Sequence, residues 1–268
     1  MGSSLATTSS ESALTAVWDT LREQRRPGLV PYLTAGFPTA PDSLAALQAA
    51  DEYADVLEVG VPFSDPLADG PTIQRSTFRA LANGTTLAST LDLVVRARLQ
   101  SPVVLFTYLN PVLQYGIPRL LKDAADAGIA GLLLTDLPAG TDSAIEGLVH
   151  ASPLDLIRLV APTTADERLA RSLSGAQGFV YLIARLGVTG ASATLAQDLT
   201  TSIARVRAAT PLPIAVGFGV STPQQARTVA QQADGVVIGS ALVDVLGTQG
   251  VAASARFLAA IRAALDAP

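Results

Sequence analysis

ADVLEVGVPFSDPLADGP, residues 54–71, runs from an apolar segment into a loop carrying three prolines and an aspartate beside a glycine. The apolar segment reads as a strand buried on both faces, yet Glu58 interrupts it where an unpaired charge is costly. Side chains alternate along a strand, so if Leu57 and Val59 face one layer, Glu58 faces the other. Pro62, Pro66, Gly70 and Pro71 restrict the backbone around Asp69 and can fix its carboxylate in place.

Outward from this stretch, short apolar runs alternate with helical patterns. Strands are expected in LVPYL from Leu29, ADVLEVG from Ala54, PVVLF from Pro102 and IAGLLL from Ile129. Four more are expected in LDLIRLV from Leu154, GFVYLIA from Gly178, PIAV from Pro213 and GVVIG from Gly235. Thr164 with Glu167, and Thr222 with Gln225 after Pro223, have capping-box spacing; Thr39 with Asp42 gives a weaker start signal. Asn83-Gly84 and Gly128 are stop signals. Eight strands each followed by a helix imply parallel pairing through crossovers. An open doubly wound sheet would show a GxGxxG turn after its first strand, and there is none. The fold expected is α/β, a (β/α)8 TIM barrel, with an extra N-terminal helix whose Leu14, Val17, Trp18 and Leu21 share one face. Its domain is expected to span residues 11–268, after a disordered arm over 1–10.

Composition narrows the function. The 268 residues include 49% hydrophobic and only 15% charged, as expected for strands covered on both sides. A net charge of −5 lacks the basic footprint of a nucleic-acid binder. Without cysteine there is no disulfide or zinc-thiolate site. His150 is the one histidine, so no multi-histidine metal centre forms and no metal is expected. MGSSLATTSSES has neither a positive start nor an apolar core, unlike a secretory signal. The longest uncharged stretches, such as residues 101–118, are broken by prolines, Asn110 and Gln114, so no membrane span and a cytoplasmic location are expected.

In such barrels the chemistry sits at the carboxyl ends of the strands. Glu58 and Asp69 are the first candidates. They read as an acid/base pair in unlike environments, Glu58 with a raised pKa in an apolar mouth and Asp69 ionised in a polar loop. They also read as a structural glutamate and a turn aspartate. Glycine loops are the second constellation: GFGVSTPQQ from Gly217, with Gly219, and VVIGSALV holding Gly239 and Ser240. Backbone N–H groups at a helix start can cradle an anion, and the loops after strands seven and eight frequently hold phosphate. Tight turns are the alternative. YLIARLGVTGAS from Tyr181 is either a loop that closes over a substrate or an ordinary connection. Tyr32, Tyr108, Tyr181 and Phe218 lie near strand ends, where they line a flat apolar slot or pack the core. Lys122, the only lysine, lies in a helical pattern, which argues against Schiff-base chemistry.

LVPYLTAGFPT, LEVGVPFSDPLADGPTIQ, YLNPVLQYG, TDLP, GVTGAS, GFGVS and VVIGSALV, in that order between about Leu29 and Leu246, resemble the tryptophan synthase alpha subunit family. The resemblance implies retro-aldol cleavage of indole-3-glycerol phosphate to indole and glyceraldehyde 3-phosphate. It places Glu58 on the family's acid/base glutamate and Asp69 on its second catalytic carboxylate. Tyr181 falls on an active-site tyrosine, and Thr189 on the loop threonine that meets the aspartate on closure. Gly190, Gly217, Phe218, Gly219, Gly239 and Ser240 fall on the phosphate cradle. Ala184 and Leu186 depart from the commoner pattern. The resemblance further implies a beta subunit that receives indole in an alpha2-beta2 tetramer. The loop after strand two and the segment with Asn110 and Pro111 would form the contact face. Pyridoxal phosphate is expected only in that partner, and no cofactor in this chain. A free-standing lyase, a non-catalytic activating subunit and a sugar-phosphate isomerase are the other readings.

Overall fold

The computed structural model describes residues 12–183, 193–217 and 219–267, with the backbone alone over 193–198. The N-terminal arm, Thr189, Gly190 and Phe218 lie outside the described residues. Eight parallel strands close in sequence order, β1 pairing with both β2 and β8. They are β1 (Gly28–Thr34), β2 (Leu57–Gly60), β3 (Val103–Thr107), β4 (Ile129–Leu134), β5 (Asp155–Val160), β6 (Val180–Ile183), β7 (Ile214–Gly217) and β8 (Gly235–Ile238). All eight fall within or beside the runs named above.

Helix α1 (Ala13–Gln24) precedes the barrel and α2 (Ala40–Asp51) links β1 to β2. Two helices, α3 (Pro71–Ala82) and α4 (Leu87–Ala97), lead to β3, and two more, α5 (Leu109–Tyr115) and α6 (Ile117–Asp126), to β4. Then come α7 (Ser143–His150), α8 (Asp166–Ser172), α9 (Ala193–Ala209), α10 (Pro223–Ala230), α11 (Ser240–Gln249) and α12 (Val251–Asp266). The Thr222–Gln225 capping box forms, and Thr39 caps α2. Thr164 and Glu167 do not form theirs: α8 starts one residue later than that spacing requires, after Ala165, which has no capping side chain. Thr86 and Ser89 form an unforeseen box at α4, with serine in place of the usual glutamate.

Alternation along each strand divides the core. Leu57 and Val59 join the outer layer with Leu47 of α2 and Leu91 and Val94 of α4. Val56 instead joins Val30, Val104, Leu133, Ile157, Ala215 and Val237 in the barrel interior. Glu58 therefore points inward. Helix α1 plugs the amino end of the barrel with Leu14, Trp18 and Leu21. Trp18 stacks obliquely on Phe179 at 5.5 Å between centroids. A Cβ at Gly28 or Gly235 would lie 2.7 or 2.6 Å from the Trp18 ring, so both glycines make room for the plug. The Ser12 hydroxyl caps α1 and donates to Asp155 Oδ2 at 2.6 Å, fastening the plug to β5. One end is thus closed by packing, leaving the other for chemistry.

Candidate active site

The tyrosine layer above this plug is set by strand register. Tyr32 of β1 pairs with Glu58 of β2, and Tyr181 of β6 lies beside Ala215 of β7. Both phenols lean over glycines on the next strand. A Cβ at Gly60 would stand 2.0 Å from the Tyr32 hydroxyl, and one at Gly217 2.2 Å from that of Tyr181. Gly217 thus serves to seat Tyr181 and is not a wall of the cavity above. Tyr32 also meets Phe106 edge to face at 5.3 Å.

Glu58 is fully buried, and neither carboxylate oxygen has a hydrogen-bond partner among the described residues. Burial alone raises its pKa from 4.5 to about 8. A carboxyl group here holds its proton at neutral pH, as a general acid must. Burial also raises the Asp69 pKa, to about 6, against the opposing pull of the Tyr108 hydroxyl. At pH 7 Asp69 is mostly ionised. The two carboxyls are divided into acid and anion by their surroundings. Burial first, and the charges of Glu58 and Asp69 after it, push the Tyr32 and Tyr181 phenols above their ordinary range, so both stay protonated.

The loop after β2 is held from two sides. Tyr108 donates its hydroxyl to Asp69 Oδ2 at 3.1 Å and accepts the Ala68 N–H at 3.0 Å. Gln74 Nε2 donates to the Asp69 carbonyl at 2.9 Å. Tyr108, expected to line a slot, instead touches the aspartate directly.

Above the tyrosines lies a cavity of about 460 Å³ whose walls include Tyr32, Asp69, Phe106, Tyr181, Gly219, Gly239 and Ser240. It brings together Asp69, two of the three candidate tyrosines in described positions, and three residues of the expected phosphate cradle. Glu58 does not line it but is the register partner of Tyr32 on the neighbouring strand, and when ionised it acts electrostatically on both wall tyrosines. Gly239 is the N-cap of α11, so the first N–H groups of that helix, at Ser240 and Ala241, border the cavity. Gly219 holds φ of 87°, a left-handed conformation that glycine adopts without penalty. Thr72, Ile73, Val220, Ser221 and Asp244 also line the cavity but were not singled out from the sequence. The i+4 spacing of Asp244 from Ser240 was the available signal for that residue. His150 lies elsewhere, its Nε2 2.8 Å from the Gly175 carbonyl.

The family model for the tryptophan synthase alpha chain matches residues 18–264. The tryptophan synthase alpha chain of Acidiphilium cryptum is 47% identical over 239 residues, 88% of this chain and 87% of the relative. That of Gloeobacter violaceus is 45% identical over 91% of this chain and 90% of its own length. A structure of Mycobacterium tuberculosis tryptophan synthase superposes with a TM-score of 0.88 at 39% identity, covering 96% of this chain and 99% of that one. The chain belongs to the tryptophan synthase alpha chain family, the carbon–carbon lyases of tryptophan biosynthesis that cleave indole-3-glycerol phosphate to indole and glyceraldehyde 3-phosphate.

Proposed function

We propose that Glu58 moves the proton and Asp69 holds the indole ring in this cleavage. Protonated Glu58 delivers its proton to indole C3, and the ring becomes a cation. Asp69, ionised, accepts the indole N–H and stabilises that cation. The Glu58 carboxylate then takes the proton of the adjacent glycerol hydroxyl. As the carbon–carbon bond breaks, its electron pair returns to the ring, the aldehyde forms, and Glu58 is protonated again. Acid–base assistance of this kind contributes about 10²–10⁴ in rate. The single observation that carries the reading is the unpartnered, fully buried Glu58 carboxyl beneath a cavity that Asp69 borders.

Tyr32 and Tyr181 flank the ring, and Tyr108 holds Asp69. Gly219, Gly239 and Ser240 receive the phosphate, together with Gly190 and Phe218, and Thr189 is the loop partner of Asp69; Thr189, Gly190 and Phe218 belong to segments outside the described residues. Gly217 contributes through Tyr181. No cofactor is assigned to this chain; pyridoxal phosphate belongs to the beta subunit that accepts the indole in an alpha2-beta2 assembly. Supporting that partner, Leu67, on the loop that carries Asp69, is 92% exposed and Leu113 of α5 is 50% exposed, apolar groups on the two segments expected at the contact face. Among the described residues no helix is long and apolar enough to cross a membrane, in keeping with a cytoplasmic enzyme.

Indole release from indole-3-glycerol phosphate, measured with and without added beta subunit, tests the assignment. Cleavage that rises on addition supports the partnered enzyme. An undiminished rate alone marks a free-standing lyase, and no cleavage in either arm overturns the assignment.

A further inference from the structure

Among its described residues, the wall of the active-site cavity carries two carboxylates, Asp69 and Asp244, and neither lysine nor arginine. That balance opposes a substrate whose phosphate carries about −1.5 to −2 charges at neutral pH. Asp244 is the sharper problem. It stands four residues after Ser240 on α11 and so shares its face, with roughly 5–6 Å between such Cβ atoms. The roughly half-unit positive charge at the amino end of a helix does not outweigh a full negative charge that near.

One cation meets this deficit. Arg75, on α3, places Nη2 3.8 Å from Asp244 Oδ1 and 3.1 Å from the Thr72 hydroxyl. Both of those partners are wall residues. The guanidinium therefore stands at the rim at the end of the cavity where α11 begins, tethered from both sides. We infer that Arg75 is a binding and specificity residue for the phosphate of the substrate, offsetting the Asp244 charge so that the helix N–H groups at Ser240 and Ala241 can hold the anion. The inference rests on the phosphate-site reading above. The pair is largely solvent-exposed, Arg75 66% and Asp244 58%. As a tether it adds little to stability, which leaves the charge free to serve a ligand.

The test uses the full chain with glycerol 3-phosphate as a phosphate-bearing inhibitor and an indole bearing a propanol chain as a neutral one. R75Q is expected to weaken glycerol 3-phosphate inhibition and raise KM about three- to fivefold at low salt, the span of a partly screened rim charge. Its kcat stays within about twofold, since only binding of the phosphate is altered. R75K, which keeps the charge, recovers most of the affinity, and the neutral inhibitor binds all three proteins alike. R75Q that binds glycerol 3-phosphate like the parent, or loses the neutral inhibitor to the same degree, overturns the inference while the parent's own inhibition leaves the phosphate site intact. A parent chain that glycerol 3-phosphate does not inhibit overturns both.

Discussion

Replacing Glu58 by glutamine removes a charge from the most deeply buried ionisable site near the cavity while keeping its shape. In the folded chain Glu58 keeps its proton up to about pH 8; unfolded, it releases it near 4.5. The folded state therefore binds more protons between those values. The stability this contributes is fully present below about 4.5 and is lost as pH rises through about 8. Glutamine cannot ionise, so E58Q escapes that loss. At about 1.4 kcal/mol per tenfold change in ionisation constant, the full difference is about 5 kcal/mol, of which about 3 kcal/mol accrues between pH 6 and pH 9. For a chain of this size that widens the gap in Tm by about 5–10 °C in favour of E58Q. Thermal melts of both proteins at pH 6, 7.5 and 9 measure it. Parallel melting curves across that range would refute a Glu58 that is neutral because it is buried. The same variant should lose lyase turnover by about 10²–10⁴, so stability and activity move in opposite directions.

Other consequences follow from the same geometry. The rate constant kcat/KM should rise as Asp69 ionises through about pH 6 and fall as Glu58 ionises through about pH 8, giving a bell in a pH–rate profile. Y108F removes the hydroxyl that steadies Asp69 and favours its anion, so the acid limb of that bell should move to higher pH and kcat/KM should fall about tenfold. In G217A the new methyl meets the Tyr181 hydroxyl at 2.2 Å; the ring must shift, with a loss of about 1–3 kcal/mol in denaturant melts and a weaker grip on substrate. W18A, at the closed end, should cost about 3–5 kcal/mol of stability yet leave the pH profile of the remaining folded enzyme in place.

The sequence conveyed most of the barrel because its strands are mostly apolar runs punctuated by turn residues, a pattern that survives without tertiary information. Glu58 was legible for the opposite reason: it violates that pattern, and alternation put it on the face opposite Leu57 and Val59, which the packing of those two against α2 and α4 makes the inner one. Helix starts were less secure. Thr164 and Glu167 have the right spacing, but α8 begins after Ala165, and local hydrogen-bonding chemistry does not fix where packing lets a helix start. The fit of Tyr181 over Gly217, and of Tyr32 over Gly60, was invisible because it depends on strand register in the closed barrel. Tyr108 was placed in a slot because its position at a strand end is generic. Its contact with Asp69 arises from a loop folding back across strands, for which a linear sequence gives no distance. Thr72 and Asp244 come from different helices and share the cavity wall because α3 and α11 pack together beside β1.

The two glycine–tyrosine fits explain how one barrel end can hold a buried acid without a compensating base. Tyr32 and Tyr181 fill the space above the strands on which Gly60 and Gly217 lie, and they keep their protons because burial and the nearby carboxyls disfavour phenolate. They therefore bring no counter-charge to Glu58. Had either position been lysine or arginine, Coulomb attraction would favour the Glu58 anion and remove the proton that the proposed first step delivers to the ring. The cost of holding that carboxyl protonated therefore accrues from about pH 4.5, where the unfolded chain releases the proton, and is complete above about pH 8. Among the described residues, Arg75 is the cation paired with the cavity wall, through Asp244 on α11. In the proposed assignment, separating a depth without cations from a charged rim lets the same cavity keep a proton at one end and bind a phosphate at the other.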